Sequence, residues 1–224
     1  MSFALQSKSM DTNWAAEHLK VIRTLMERSA LYRRALAPVM TLDGVLGAAA
    51  AVGGIAGGIS TAPGFIGYWM AVAAAAVAGS FLLARRQALK DSEPFWSPPT
   101  RRVAEALLPA LLFGFVLGFS LLLPGTAVRA AMAAAPEVAL VWLPLVWVGL
   151  YGCALHAAGF FMPRGMKVFG LALVLGSSAW CLSGPLGAAS APVFGHAIMG
   201  SFFGLGHLAY GVYLYFTEQR GNRS

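Results

Sequence analysis

The chain has 224 residues, of which 58% are hydrophobic and only 11% are charged, and its mean hydropathy is +0.69. An average soluble domain carries about 25% charged residues, so a soluble fold of this composition could not cover its own apolar core. The formal net charge is +7, but the basic residues lie in short segments between apolar runs, which argues against nucleic acid as a partner.

Residues 1–36 form a charged N-terminal segment that precedes the first apolar run. Aromatic and aliphatic residues recur there at helical spacing, with most of the charged residues on the other side; the apolar positions are Trp14, Val21, Leu25, Tyr32 and Leu36. This pattern predicts an amphipathic helix over residues 13–36 that lies along the inner leaflet. The alternative is a docking helix for a cytoplasmic regulatory protein.

Six apolar runs follow, each close to the roughly 20 residues that a helix needs to span a bilayer. They cover approximately residues 37–58, 65–84, 103–123, 138–160, 168–188 and 193–216. Residues 85–102 are charged and contain three prolines, which predicts a loop. The predicted fold is therefore an all-α membrane protein, with a six-helix transmembrane domain over 37–216 and a tail over 217–224.

The distribution of basic residues predicts the orientation. Fifteen of the sixteen lysines and arginines fall in the N-terminal segment, the loops after the second and fourth spans, and the tail, and only Arg129 lies on the other side. Because basic loops stay in the cytoplasm, we expect a multi-pass protein of the inner membrane with both termini cytoplasmic.

Glycines at four-residue spacing mark the third and sixth predicted spans, at Gly114 and Gly118 and at Gly200 and Gly204. Such spacing lets helix backbones approach closely in lipid, where packing drives association. These faces predict either close contacts within the bundle or self-association of the chain.

Four ionisable residues inside the apolar runs are the candidate binding residues: Asp43, His156, His196 and His207. His156 and His207 share helical faces with glycines, so we expect both to face the bundle interior. Counted from the span ends, Asp43, His156 and His207 lie about 6–13 Å inside the cytoplasmic boundary, whereas His196 lies near the outer surface.

Each of these residues also has a structural interpretation. Asp43 could be the N-cap of a span that begins at Gly44, because aspartate is a preferred capping residue. Each histidine could be a neutral ring bonded to a carbonyl group, and water at the outer surface could satisfy His196.

The sequence contains no HExxH, GxSxG or GxxxxGK[ST] motif, so it predicts no catalytic residue. His156, His207 and Cys153 give at best an incomplete zinc set, so no metal site is predicted. The sequence assigns no cofactor.

Three short segments, residues 22–30, 150–155 and 203–207, carry a family resemblance. The first reads IRTLMERSA, the second LYGCAL, and the third FGLGH. In these the chain resembles a family of uncharacterised bacterial integral membrane proteins, which are often encoded beside a small winged-helix regulator. The resemblance implies six spans and a regulatory context.

Three functions are compatible with these observations. The first is a non-enzymatic inner-membrane protein with a sensory or regulatory role. The second is a small proton-coupled transporter or channel that uses Asp43, His156 and His207. The third is an electron-transfer protein that binds haem or quinone through His156 and His207.

Overall fold

The computed structural model describes residues 35–92, 94–133, 135–162, 164–182 and 190–221, and the regular structure in these ranges is helical. The helices are α1 (Ala35–Ala56), α2 (Ala62–Lys90), α3 (Pro98–Leu122), α4 (Ala127–Ala133), α5 (Pro136–Ala158), α6 (Arg164–Cys181), α7 (Ala191–Met199) and α8 (His207–Gly221). A π-helical segment, Gly200–Gly206, joins α7 to α8. We call these three pieces together the last helix. The predicted amphipathic helix over 13–36 lies almost wholly outside the described residues.

Five helices are long and apolar enough to cross a bilayer: α1, α2, α3, α5 and the last helix over Ala191–Thr217. These confirm five of the predicted spans. The fifth predicted span, 168–188, corresponds to α6, whose apolar part Gly165–Cys181 is shorter. Residues 183–189, which would complete that span, lie outside the described part of the chain.

The predicted loop over 85–102 is wrong at both ends. The helix α2 continues through Arg85 to Lys90, and α3 already begins at Pro98. At 29 residues α2 is about 43 Å long, so its polar end extends beyond the hydrocarbon core of about 30 Å. The prolines at the start of α3 cost nothing there, because the first N–H groups of a helix have no intrahelical partner.

Spans that follow one another along the chain run in opposite directions, and so do α1 and the last helix. Contacts pair Asp43 with Ser80 between α1 and α2, and they pair residue 44 with 208 and residue 54 with 196 between α1 and the last helix. The same reversal relates α5 to α6 and α6 to the last helix. One end of the bundle, called the basic end here, therefore holds the start of α1, the α2–α3 and α5–α6 connections and the end of α8.

The helix α5 is central. In its apolar membrane-spanning stretch, half of the residues are buried inside the bundle, against 11% in α2 and 17% in α3. The outer surface of α3 exposes large apolar side chains, including Leu112, Phe113 and Val116. Continuous exposed apolar surface of this kind fits contact with lipid rather than water.

A seam of glycines holds α1 against the last helix. A Cβ atom at Gly44 would lie 2.6 Å from the Leu208 nitrogen, and one at Gly204 would lie 2.8 Å from the Ala48 nitrogen. Real Cβ atoms do not approach so closely, so only glycine permits this backbone contact. Gly204 is buried whereas Leu205 is 63% exposed, which confirms that the glycine face of this helix is a packing face.

Candidate functional site

Asp43 lies in the interior of α1, nine residues along the described helix. The interpretation of Asp43 as an N-cap is therefore wrong, because the chain is already helical from Ala35 and the amides after Asp43 lie within the helix. Its half-buried carboxylate accepts hydrogen bonds from the Ser80 hydroxyl of α2, at 2.9 Å to Oδ1 and 3.1 Å to Oδ2. A serine supplies one proton, so the carboxylate receives a single donor from this side chain.

His207 is 1% exposed, which confirms that it faces the bundle interior. Its Nδ1 lies 3.1 Å from the Phe202 carbonyl oxygen, and its Nε2 lies 3.0 Å from the Tyr151 hydroxyl of α5. A carbonyl can only accept, so Nδ1 carries the proton and donates it to Phe202. In the neutral ring Nε2 is then an acceptor, and Tyr151 donates to it.

Aromatic rings enclose this imidazole on several sides. The centroids of Phe169, Tyr151 and Phe203 lie 5.1, 5.4 and 5.9 Å from the centroid of His207. The π-helical segment ends directly before His207 and carries its partner Phe202. Short π-helical turns often occur at functional sites.

Asp43 and His207 lie at similar depths, about two residues apart, because the contact between residues 44 and 208 sets the register of α1 against the antiparallel last helix. Asp43 is bonded to Ser80 of α2, and His207 is bonded to Tyr151 of α5; we call these four residues, which form two pairs, the polar cluster. Sequence analysis placed Asp43 and His207 at a similar depth but missed Ser80 and Tyr151, although Tyr151 lies within the segment 150–155.

Among the residues that the structure describes, His156 forms no hydrogen bond with the polar cluster. Its Nδ1 lies 3.1 Å from the Lys167 carbonyl oxygen, so it donates across the interface between α5 and α6. Its ring packs edge-on against Phe160 at 5.8 Å, and the Lys167 ammonium lies 3.5 Å from the centroid of the Phe160 ring. The geometry fits the structural interpretation of this histidine as a ring bonded to a carbonyl.

His196 is also 1% exposed, so the expectation that water satisfies it at the outer surface is wrong. The Trp69 indole donates to Nδ1 at 3.1 Å, and Nε2 lies 3.0 Å from the Ile59 carbonyl oxygen. An indole N–H only donates and a carbonyl only accepts, so this ring is neutral with its proton on Nε2. Burial is possible because both nitrogens have protein partners. We call this arrangement the His196 lock.

The candidate binding residues are poorly arranged to bind a metal ion or a haem. Across the described ranges, no three His, Cys, Asp or Glu residues lie close enough to hold a metal ion. A haem ligand needs a free imidazole nitrogen, and both nitrogens of His207 already have hydrogen-bond partners. Pairing His207 with His156 as axial ligands would require the Tyr151 hydroxyl to leave Nε2 of His207, whereas the bond from Nδ1 to Phe202 could remain.

The fold and the buried polar groups define a polytopic helical membrane protein. No protein-family model matches the sequence, and no curated protein and no solved structure shows significant similarity to it.

Proposed function

We propose that this chain is a six-span, non-enzymatic protein of the bacterial inner membrane with a sensory or regulatory role and with both termini in the cytoplasm. The reversal of direction between neighbouring helices supports six crossings, because α6 runs antiparallel to both α5 and the last helix. The basic end carries Arg85, Arg86, Lys90, Arg101 and Arg102, whereas Arg129 lies at the opposite end. This asymmetry supports a cytoplasmic basic end.

One observation carries the functional part of the proposal. The two buried histidines use both ring nitrogens in bonds within the bundle, rather than presenting them to a substrate. When such bonds hold helices together, a stimulus that alters the bonds also alters the packing of the helices. The partner that would receive the signal is a cytoplasmic protein docked at the basic end or on residues 1–36, in keeping with the resemblance to proteins encoded beside a winged-helix regulator.

A second candidate, proton-coupled transport, is favoured by Asp43. Ionisable side chains in spans are costly and often mark proton or ion pathways. Within the described part of the chain, no lysine or arginine forms an ion pair with this carboxylate, and its recorded hydrogen-bond donor is Ser80.

Reconstitution distinguishes the two candidates. The full-length protein is placed in vesicles that contain a pH-sensitive dye, and a pH gradient is imposed with and without a membrane potential. A regulatory protein should give the same proton leak as protein-free vesicles. Proton flux above the protein-free level that is lost in Asp43→Asn would instead support transport and contradict the regulatory role.

A further inference from the structure

We propose that the connection between α2 and α3 binds anionic phospholipids, with Trp96 inserted at the boundary of the hydrocarbon and with Arg85 and Arg86 contacting the phosphate groups. The partner is thus a lipid surface that carries negative charge. The inference goes beyond the proposed regulatory role and does not depend on it, because it concerns how the basic end of the bundle meets the membrane.

The connection folds back along α2 after that helix ends. The Phe95 ring packs edge-on against the Phe81 ring of α2, with their centroids 5.0 Å apart. Phe81 precedes Lys90, the last residue of α2, by about 13 Å of helix. The Phe81 side chain is 49% exposed, so it lies on the outer surface of the bundle. The chain therefore turns after Lys90 and returns toward the membrane along the lipid-facing side of α2.

This fold places Trp96 at the level where the hydrocarbon ends. Phe81 lies about 29 Å along α2 from Ala62, which is close to the hydrocarbon thickness of about 30 Å. The Trp96 ring centroid lies 6.4 Å from that of Phe95, and its side chain is 64% exposed. Tryptophan is enriched at membrane interfaces, because its ring is apolar while its N–H is polar. Trp96 is therefore placed to contact lipid rather than the bundle.

The end of α2 presents basic groups at the headgroup level. One exposed stripe of the helix, about 100° wide, combines apolar and basic side chains: Leu82, Arg85, Arg86 and Leu89. Arg85 and Arg86 lie about 6 and 8 Å beyond Phe81 along the axis. An arginine can keep its apolar stem against lipid while its guanidinium extends into the polar region. There the guanidinium can bind a phosphate group through two hydrogen bonds.

The charge of this region selects an anionic partner. Residues 85–102 contain five basic and two acidic residues, which gives a net charge of +3. Within the described ranges Arg101 pairs with Glu105, whereas Arg85 and Arg86 are exposed and form no ion pair. Basic clusters directly beside a span are typical of binding to anionic lipids. An acidic soluble protein would match the charge but would not reach Trp96 at the hydrocarbon boundary, so the geometry favours lipid.

The experiment measures the fluorescence of Trp96 in the full-length protein, in vesicles of phosphatidylcholine with a small fraction of brominated lipid as quencher. Subtraction of the Trp96→Phe spectrum removes the signal of the other five tryptophans. Brominated phosphatidylglycerol should quench Trp96 more than brominated phosphatidylcholine does, and salt should reduce the difference.

The arginines are tested by a pair of matched double variants. Arg85→Gln with Arg86→Gln should lower the preference for phosphatidylglycerol by up to about fivefold for each arginine. Arg85→Lys with Arg86→Lys keeps the charge and should retain most of the preference. Both variants are measured with and without Trp96→Phe, so the readout remains local to the connection.

Three results would overturn the proposal. They are quenching of Trp96 by aqueous acrylamide but not by brominated lipid, equal quenching by the two brominated lipids, and an unchanged preference in the glutamine variant. The first result would assign this surface to a soluble partner. Should the glutamine variant fail to fold, a lipid preference of the native protein that persists at high salt would contradict electrostatic binding. Vesicle proton flux tests the regulatory role separately, so either idea can fail alone.

Discussion

The Trp69 indole donates its N–H to Nδ1 of His196 at 3.1 Å, across 127 residues of sequence. The other ring nitrogen, Nε2, donates to the Ile59 carbonyl. The two bonds together connect the start of the last helix to the α1–α2 hairpin. Phe65 and Tyr68 also pack against the imidazole of the His196 lock, with ring centroids 4.9 and 6.0 Å from its centroid. The lock lies at the opposite end from the basic loops and uses no residue of the polar cluster.

Removal of the indole donor should destabilise the bundle. Trp69→Phe keeps an aromatic ring but leaves Nδ1 of a buried histidine without a donor, and such an unsatisfied group costs about 1–3 kcal/mol. Reversible unfolding of the detergent-solubilised protein measures the change. The control is Trp142→Phe, at a residue that is 47% exposed. Similar losses in both variants would show that the indole–imidazole bond contributes nothing specific.

Gly54 provides the space for the same imidazole. A Cβ atom at Gly54 would overlap the His196 ring, whereas one at Gly67 meets nothing within 4 Å. We expect Gly54→Ala to cost about 1–3 kcal/mol through overpacking. Gly67→Ala should be neutral or stabilising by up to about 1 kcal/mol, because alanine is the better helix former. Thermal unfolding of both variants tests the pair, and a stable Gly54→Ala would disprove the close contact.

The glycine seam gives a third comparison. Gly204→Leu places a large side chain against the Ala48 backbone, whereas Leu205→Phe changes a residue that is 63% exposed. The first variant should lower the melting temperature in detergent or prevent assembly, and the second should have little effect. Equal melting temperatures would mean that α1 and the last helix do not meet along this face.

Two tyrosines allow a matched test of the polar cluster. Tyr151→Phe removes the donor to His207 and should cost about 1–3 kcal/mol, because it leaves a buried acceptor unpaired. The hydroxyl of Tyr210 is buried and has no hydrogen-bond partner within the described ranges. Tyr210→Phe should therefore be neutral or stabilising. Unfolding free energies that rank the two variants in the reverse order would refute this assignment of hydrogen bonds.

The orientation can be tested by cysteine labelling. The native Cys153 and Cys181 are exposed on the helix surface, so both are first replaced by alanine. A cysteine at Ser92, between α2 and α3, should react with a membrane-impermeant reagent only after the cytoplasmic side is opened. A cysteine at Thr126, between α3 and α4, should react in intact cells. Labelling of the Ser92 position in intact cells would reverse the proposed topology.

The sequence alone determined the class of protein and most of the helices. Apolar runs of about 20 residues can bury their backbone hydrogen bonds in lipid only as helices, so five spans were predicted to within a few residues, except at the polar end of α2 and the start of α3. The inward direction of His207 also followed from the sequence, because it shares a helical face with glycines and a polar ring avoids lipid.

Only the tertiary structure decided which polar groups meet. Periodicity gives the face of a helix, but the partner of that face depends on the neighbouring helix and on the register between them. Asp43 meets Ser80 because α1 packs on α2, and His207 meets Tyr151 because the last helix packs on α5. His196 was expected to form hydrogen bonds with water, yet its ring nitrogens bond to the Trp69 indole and the Ile59 carbonyl. Those donors and acceptors come from distant parts of the chain, so the physical role of each histidine was fixed by packing rather than by its position in the sequence.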